Sequence, residues 1–197
     1  MKIENEIEKF KKLFNTEFYI KSYRRWRINE EKAGKDIIGE QYEKMRKMYY
    51  ESLGFTVGNG KKIFGSSYNC DTVVVNSKNE IVILEEDKAS YVDSCFLGRA
   101  IQNAAEVFDI CLETKRKIPY FVISSSTKYN LFDDICKRRL KLYRGDIQEV
   151  FKSKFIYLPL SENDRISQKK YFMTEESCFT LSDRLIKKQN DFVNVLL

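Results

Sequence analysis

Cys70-Asp71-Thr72-Val73-Val74-Val75 and, after a short polar gap, Ile81-Val82-Ile83-Leu84-Glu85-Glu86-Asp87-Lys88 decide how this chain is read. Asp71–Val75 is β-branched and short. Ile81–Leu84 is a continuous apolar run, as in a central strand buried on both faces. Asn76–Asn79 is a polar turn. The charged tail Glu85–Lys88 then falls at the end of the second strand. Side chains alternate between faces along a strand, so Glu86 and Lys88 project one way and Asp87 the other. If the two strands are neighbours, Asp71 lies near Glu86 and Lys88, and two carboxylates and one ammonium converge at one end of a buried sheet. A solvated strand terminus carries the same letters, and Asp71 would equally cap a turn. The pattern alone leaves both readings open.

Outward from this stretch, periodicity predicts the remaining elements. Residues 3–14 read as an amphipathic helix, with Ile3, Ile7, Phe10 and Phe14 at helical spacing. Asp36 is placed to cap a helix running to about Leu53, with an apolar stripe of Ile38, Tyr42, Met45 and Tyr49 and a stop at Gly54. Phe55–Val57 and Lys61–Phe64 flank Gly58-Asn59-Gly60, which reads as a strand or as a hairpin turning at Asn59-Gly60. A long helix is expected over 91–113, a strand at Tyr120–Ser124, a helix over 130–142, an edge strand over 155–160 and a closing helix over 180–195. The order helix, three strands, helix, strand implies the α/β class, a mixed central sheet with helices on its faces. With Pro119 and Pro159 the only prolines, and no repeat or Pro/Gly/Ser-rich linker, residues 1–197 are expected to form a single domain.

Composition narrows the chemistry. The chain has 197 residues, 43% hydrophobic and 32% charged, which suits a soluble globular protein. There is no histidine. That excludes Ser-His-Asp and Cys-His nucleophiles, His-liganded zinc sites and nucleases that use His as general base. The five cysteines, Cys70, Cys95, Cys111, Cys136 and Cys178, form no CxxC pair, so reduced thiols in a cytoplasmic protein are expected. No apolar run approaches the roughly 18 residues of a membrane span, and the charged N-terminus does not resemble a secretory signal. GNGKKIFG lacks the Gly-Lys-Ser/Thr that opens a phosphate loop, so no nucleotide cofactor is expected. The net charge of +6 is compatible with a nucleic-acid partner.

A carboxylate pair beside a lysine suits phosphodiester hydrolysis without histidine. Carboxylates hold a hard cation such as Mg²⁺ through oxygen. The cation polarises phosphate and lowers the pKa of water, and a lysine orients that water or offsets developing charge.

The helix sequence Gly39-Glu40-Gln41-Tyr42-Glu43, then Gly54-Phe55, Asp71 and Glu86-x-Lys88, resembles the PD-(D/E)xK nuclease superfamily, most closely its type II restriction endonucleases. The resemblance implies a restriction-endonuclease-like αβββαβ core at about 36–124, with an N-terminal helical and basic extension and a C-terminal α/β extension. It further implies metal ligation by Asp71, Glu86, Glu43 and Asp87 (the last through its backbone carbonyl), with Lys88 orienting water. Mg²⁺ is the implied cofactor, with Mn²⁺ able to substitute, double-stranded DNA the partner, and a homodimer the assembly. The sequence departs from the pattern at Cys70, where the superfamily often has proline. Glu85 and Asp87 offer other frames, and Glu40 competes with Glu43. Two alternatives remain: a Holliday-junction resolvase or repair nuclease of the same fold, and a non-catalytic nucleic-acid-binding module.

Other features add DNA-contact candidates. Tyr23, Arg24, Arg25, Trp26 and Arg27 interleave cations with aromatics, a composition suited to phosphates and base stacking. Lys137, Arg138, Arg139, Lys141 and Arg144 form a second basic run. Arg99, Gln102 and Glu106 share helical spacing on the long helix, as a site edge or as a solvated face. Ser66 and Ser67 read as a turn.

Overall fold

The computed structural model describes residues 43–159 except 45, 49, 52–53, 89–91 and 126–127. The expected helices over 3–14 and 180–195, the basic segment 21–27, the Asp36 cap and the stripe of Ile38, Tyr42, Met45 and Tyr49 lie outside the described residues, as does Cys178.

Helix α1 contains residues 43, 44, 46–48, 50 and 51. It stops at Gly54, which takes φ 88° and donates its N–H to Glu51 O at 3.0 Å. A left-handed residue after the last turn is the usual way to satisfy a helix's final carbonyls. Strands β1 (Thr56–Lys61), β2 (Asn69–Val75) and β3 (Ile81–Lys88) follow. Helix α2 (Ser94–Glu113) leads to β4 (Tyr120–Ser125); α3 (Phe132–Leu140) and α4 (Gly145–Lys154) lead to β5 (Phe155–Pro159). The five strands form one sheet in the order β1-β2-β3-β4-β5. The first three are antiparallel, and β4 and β5 run parallel to β3. This is the α/β class with a mixed sheet, as composition and periodicity imply.

Two points either decide between the sequence readings or differ from them, and both have clear physical causes. Gly58-Asn59-Gly60, read as a strand or as a hairpin, is strand, and Asn59-Gly60 is not a hairpin turn. β1 runs straight through it, with a register irregularity between Gly58 and Gly60. Glycine is required at position 60 by close packing, because a Cβ there would lie 2.3 Å from Ile63 Cδ1 and 2.5 Å from Val73 Cγ2. The chain reverses later, through a 3-10 turn at Ile63–Gly65. The second point is α4, which the sequence reading does not anticipate. Ile147 and Phe151, four residues apart, are its buried positions, with Asp146 in its first turn and Lys152 and Lys154 in its last.

One sheet face carries the main core. Leu84, Phe121 and Ile123 pack with Leu97, Ile101, Ala104 and Phe108 of α2, Phe132 of α3 and Phe151 of α4. Aromatic contacts extend this core to the sheet edge, with Phe132 and Tyr157 stacked at 4.0 Å. Asp93 starts α2 by accepting the Phe96 N–H at 2.8 Å, so its first turn lies just past the end of β3. The opposite face contains Val74, Ile83 and Val122, all fully buried, together with Arg46 and Tyr50 of α1. Cys70, Cys111 and Cys136 are buried free thiols, and burial pushes Cys111 up to about 11 and Cys136 to about 12. Such thiols are inert at neutral pH.

Candidate functional site

The charged tail of β3 belongs to the strand. β3 continues to Lys88 because its backbone pairs with β4 as far as Lys88 opposite Ser125. Thr72 lies opposite Glu85 and Val73 opposite Leu84 in the β2–β3 ladder. Just beyond this pairing, the Asp71 and Glu86 side chains interact directly. Asp71 Oδ2 accepts the backbone N–H of Asp87 at 3.0 Å. Alternation then puts Asp71, Glu86 and Lys88 on the α2 face, and Glu85 and Asp87 on the α1 face.

On the α2 face, the Glu86 carboxyl is pushed up to about 7. Burial is the main cause, followed by the neighbouring Asp71 charge, while Tyr68 and Lys88 pull the other way. The Lys88 ammonium sits 4.8 Å from the centre of the Phe96 ring in the first turn of α2. Tyr68 enters the same space from the β1–β2 connection and is 3% exposed. Its hydroxyl is electrostatically coupled to Cys70 and Glu86, yet it has no well-formed hydrogen bond among the described residues.

On the α1 face lies a second, fully buried polar cluster. Arg46 forks onto Glu85 through Nε at 2.5 Å and Nη2 at 2.9 Å. Nη2 also donates to the Tyr50 hydroxyl at 3.0 Å, and that hydroxyl donates to Glu85. Arg46, Tyr50 and Glu85 are each 0% exposed. The Thr72 hydroxyl donates to Asp87 Oδ2 at 2.8 Å. Burial and the nearby Glu85 charge raise the Asp87 pKa well above the usual range, opposed by Arg46, whose Nε is 3.9 Å away. A bidentate arginine fork is the geometry in which a buried carboxylate keeps its charge most cheaply.

The sequence-derived candidates divide accordingly. Asp71, Glu86 and Lys88 come together at one end of β2 and β3. Asp87 turns its side chain away, toward Thr72 and Arg46, so only its backbone faces the site. Glu43 lies on α1 with Lys47 Nζ at 3.6 Å. Among the described residues no three acidic or thiol groups converge to hold a metal, so Glu43 does not complete a triad with Asp71 and Glu86. Glu40 and Tyr23 to Arg27 lie outside the described residues. Arg99 and Gln102 are exposed on α2. Glu106 instead ties down the turn before β2, accepting the Ser67 N–H at 2.7 Å and the Ser67 hydroxyl at 2.9 Å. In the second basic run, Lys137, Arg138, Arg139 and Lys141 are exposed, whereas Arg144 is committed to Asp109 at 2.7 Å and Asp146 at 3.1 Å.

Sequence reasoning missed Arg46, Tyr50 and Tyr68. Alternation does send Glu85 away from Glu86, and a buried carboxylate needs a cation. Arg46 and Tyr50, four apart on a helix, were the available signal. The chain matches no protein-family model, no curated protein and no solved structure.

Two carboxylates side by side at a partly buried strand end favour a bound cation. Mg²⁺ retains several waters and is commonly held by one or two carboxylates together with substrate phosphates. Asp71 and Glu86 fit that donor set.

Proposed function

We propose that this chain is a metal-dependent nuclease of the PD-(D/E)xK type, with a restriction-endonuclease-like core, acting on double-stranded DNA at a specific short sequence. The observation that carries the reading is the meeting of Asp71, Glu86 and Lys88 on one sheet face, on adjacent antiparallel strands, beneath the start of α2. In support, the helix, three strands, helix, strand order of α1 to β4 is the one the superfamily resemblance implies. Asp71 and Glu86 would hold Mg²⁺ or Mn²⁺, which when bound supplies an electrophile for phosphate and an acidified water. The Asp87 N–H fixes the Asp71 carboxylate beside Glu86. Lys88, with its ammonium over the Phe96 ring, lies on the same side as Glu86 and would offset negative charge gathering on the scissile phosphate. The exposed cations of α3 and the basic segment 21–27 would contact the DNA backbone, and two copies of the chain would cut the two strands of a symmetric site.

The test is digestion of a long duplex of known sequence, with Mg²⁺ and with EDTA. Discrete fragments that require Mg²⁺ are expected. No cleavage of linear duplex, with cleavage of a four-way junction, would assign the site to junction resolution. Binding without cleavage of either substrate would leave a non-catalytic module.

A further inference from the structure

Tyr68 is costly where it stands. Its ring is useful, packing 5.4 Å from the Phe121 ring within the core. Its hydroxyl is buried and lacks a well-formed hydrogen bond among the described residues. Taking a hydroxyl out of water without a partner opposes folding, and native proteins leave few such groups. Phenylalanine would keep the packing and remove the penalty.

The segment that delivers Tyr68 is also held in unfavourable geometry. Lys62 and Phe64 both have left-handed backbones, at φ 52° and 53°. Side-chain-bearing residues adopt this region at a cost, and only when their surroundings over-determine it. Here the surroundings do. Glu106 grips Ser67 at both its N–H and its hydroxyl, Ser66 Oγ accepts the Tyr68 N–H at 3.2 Å, and Ile63 is buried against the core. Three separate contacts thus hold one turn in place, and its product is a phenol directed at Glu86.

We propose that Tyr68 is a working member of the Asp71–Glu86 site, its hydroxyl hydrogen-bonding an oxygen of what binds between those carboxylates. This rests on the reading of Asp71 and Glu86 as a cation site. The oxygen belongs either to water accompanying the cation or to a phosphate of the DNA. The Tyr68 hydroxyl, which meets Glu86 and Cys70 only in poor hydrogen-bond geometry in the free protein, gains a well-formed partner in the bound state. Strain at Lys62 and Phe64, and the Glu106 clamp, serve to place it.

The experiment uses the full-length chain and Tyr68→Phe, with Glu106→Gln as a second variant that loosens the turn and leaves the phenol in place. Thermal melting comes first. Tyr68→Phe is expected to melt at or above the wild-type temperature, because it deletes a buried polar atom that has no well-formed hydrogen bond. A purely structural hydroxyl would instead lower it, and that result overturns the proposal. Mn²⁺ affinity is then read by electron paramagnetic resonance, and duplex affinity is read in Ca²⁺ to prevent turnover. Loss of one hydrogen bond predicts about a 3- to 10-fold weakening in Tyr68→Phe. A weakened Mn²⁺ affinity assigns the oxygen to water, and a weakened duplex affinity with Mn²⁺ unchanged assigns it to phosphate. Glu106→Gln is expected to move the same quantity by a smaller factor. If both affinities stay at the wild-type value in Tyr68→Phe, Tyr68 is not part of the site. If the wild type itself does not bind Mn²⁺, the cation reading of Asp71 and Glu86 fails instead.

Discussion

Asp71, Glu86 and Lys88 are each expected to be individually indispensable for cleavage. Asp71→Asn and Lys88→Ala should lose detectable cleavage in a duplex digestion assay while keeping duplex affinity in a gel-shift titration, and activity retained by either variant would remove that residue from the chemistry. Glu86 also makes the cation-free protein pH-sensitive. Its carboxyl is pushed up to about 7 from an ordinary 4.5, chiefly by burial. An acid whose folded pKa is raised binds its proton more tightly in the native state. Its stabilising contribution is therefore complete below about pH 4.5 and is lost as pH rises through about 7. The loss is on the order of 3 kcal/mol. In EDTA, melting temperature should fall across this window, Glu86→Gln should flatten the fall, and Mg²⁺ should reverse it. An unchanged profile in Glu86→Gln would place the titration elsewhere. Asp71, Glu86 and Lys88 were legible from sequence because strand alternation and a short turn suffice to bring them together. Tyr68 was not, because the turn that carries it depends on left-handed Lys62 and Phe64 and on a clamp from distant Glu106.

At the level of elements, α1 is bolted to β3 by the Arg46–Glu85–Tyr50 cluster. Breaking a buried ion pair from one side strands a charge. Arg46→Met is thus expected to cost about 3–5 kcal/mol in a urea titration. Arg46→Met combined with Glu85→Met should recover most of that loss, since the charge that Arg46 balances goes with it and burial favours the neutral form of Asp87. A double variant no more stable than Arg46→Met would show that Glu85 is held by something other than Arg46. The same cluster fixes which face of β3 each carboxylate takes. A shift of one residue would send Glu86 and Lys88 toward α1 and Glu85 and Asp87 toward the site. Gly60 is a second element-level constraint. Gly60→Ala drives a methyl into Ile63 and Val73, and a loss of about 1–3 kcal/mol is expected from calorimetry. Sequence reading placed β2, β3, α2 and β4 well because each has a clean period. It left β1 open between strand and hairpin, because glycine answers both to left-handed backbone and to crowding, and the letters do not distinguish them.

Across the whole molecule, the net charge of +6 is unevenly committed. Arg144 and Lys152 pair with nearby carboxylates, while Arg139 lies against the Gly98 backbone of α2, its guanidinium carbon 2.8 Å from where a Cβ would stand. A guanidinium braced on a helix near the start of α2 is well placed for a phosphate. Arg139→Ala is expected to weaken duplex binding equally for all sequences and to lower the slope of log affinity against log salt by about one. An unchanged slope would take α3 out of the interface. No described helix is long and apolar enough to cross a membrane.

The strands lie in the sheet in the order in which they occur in the chain, and this has a consequence for how the molecule comes into being. Among the described residues every ladder joins consecutive strands, and Asp71, Glu86 and Lys88 all lie within the single hairpin of β2 and β3. That hairpin closes across a turn of a few residues, at little loop-closure entropy, while the parallel pairings of β4 and β5 must wait for α2, α3 and α4. On a ribosome, the Asp71–Glu86–Lys88 cluster would therefore take shape while the later strands are still being made. Only later would α2 arrive to roof it and the cluster acquire its low-dielectric surroundings. A chain built in this order holds these charged groups in water until the fold is nearly complete, so the groups meet early and lose their water late.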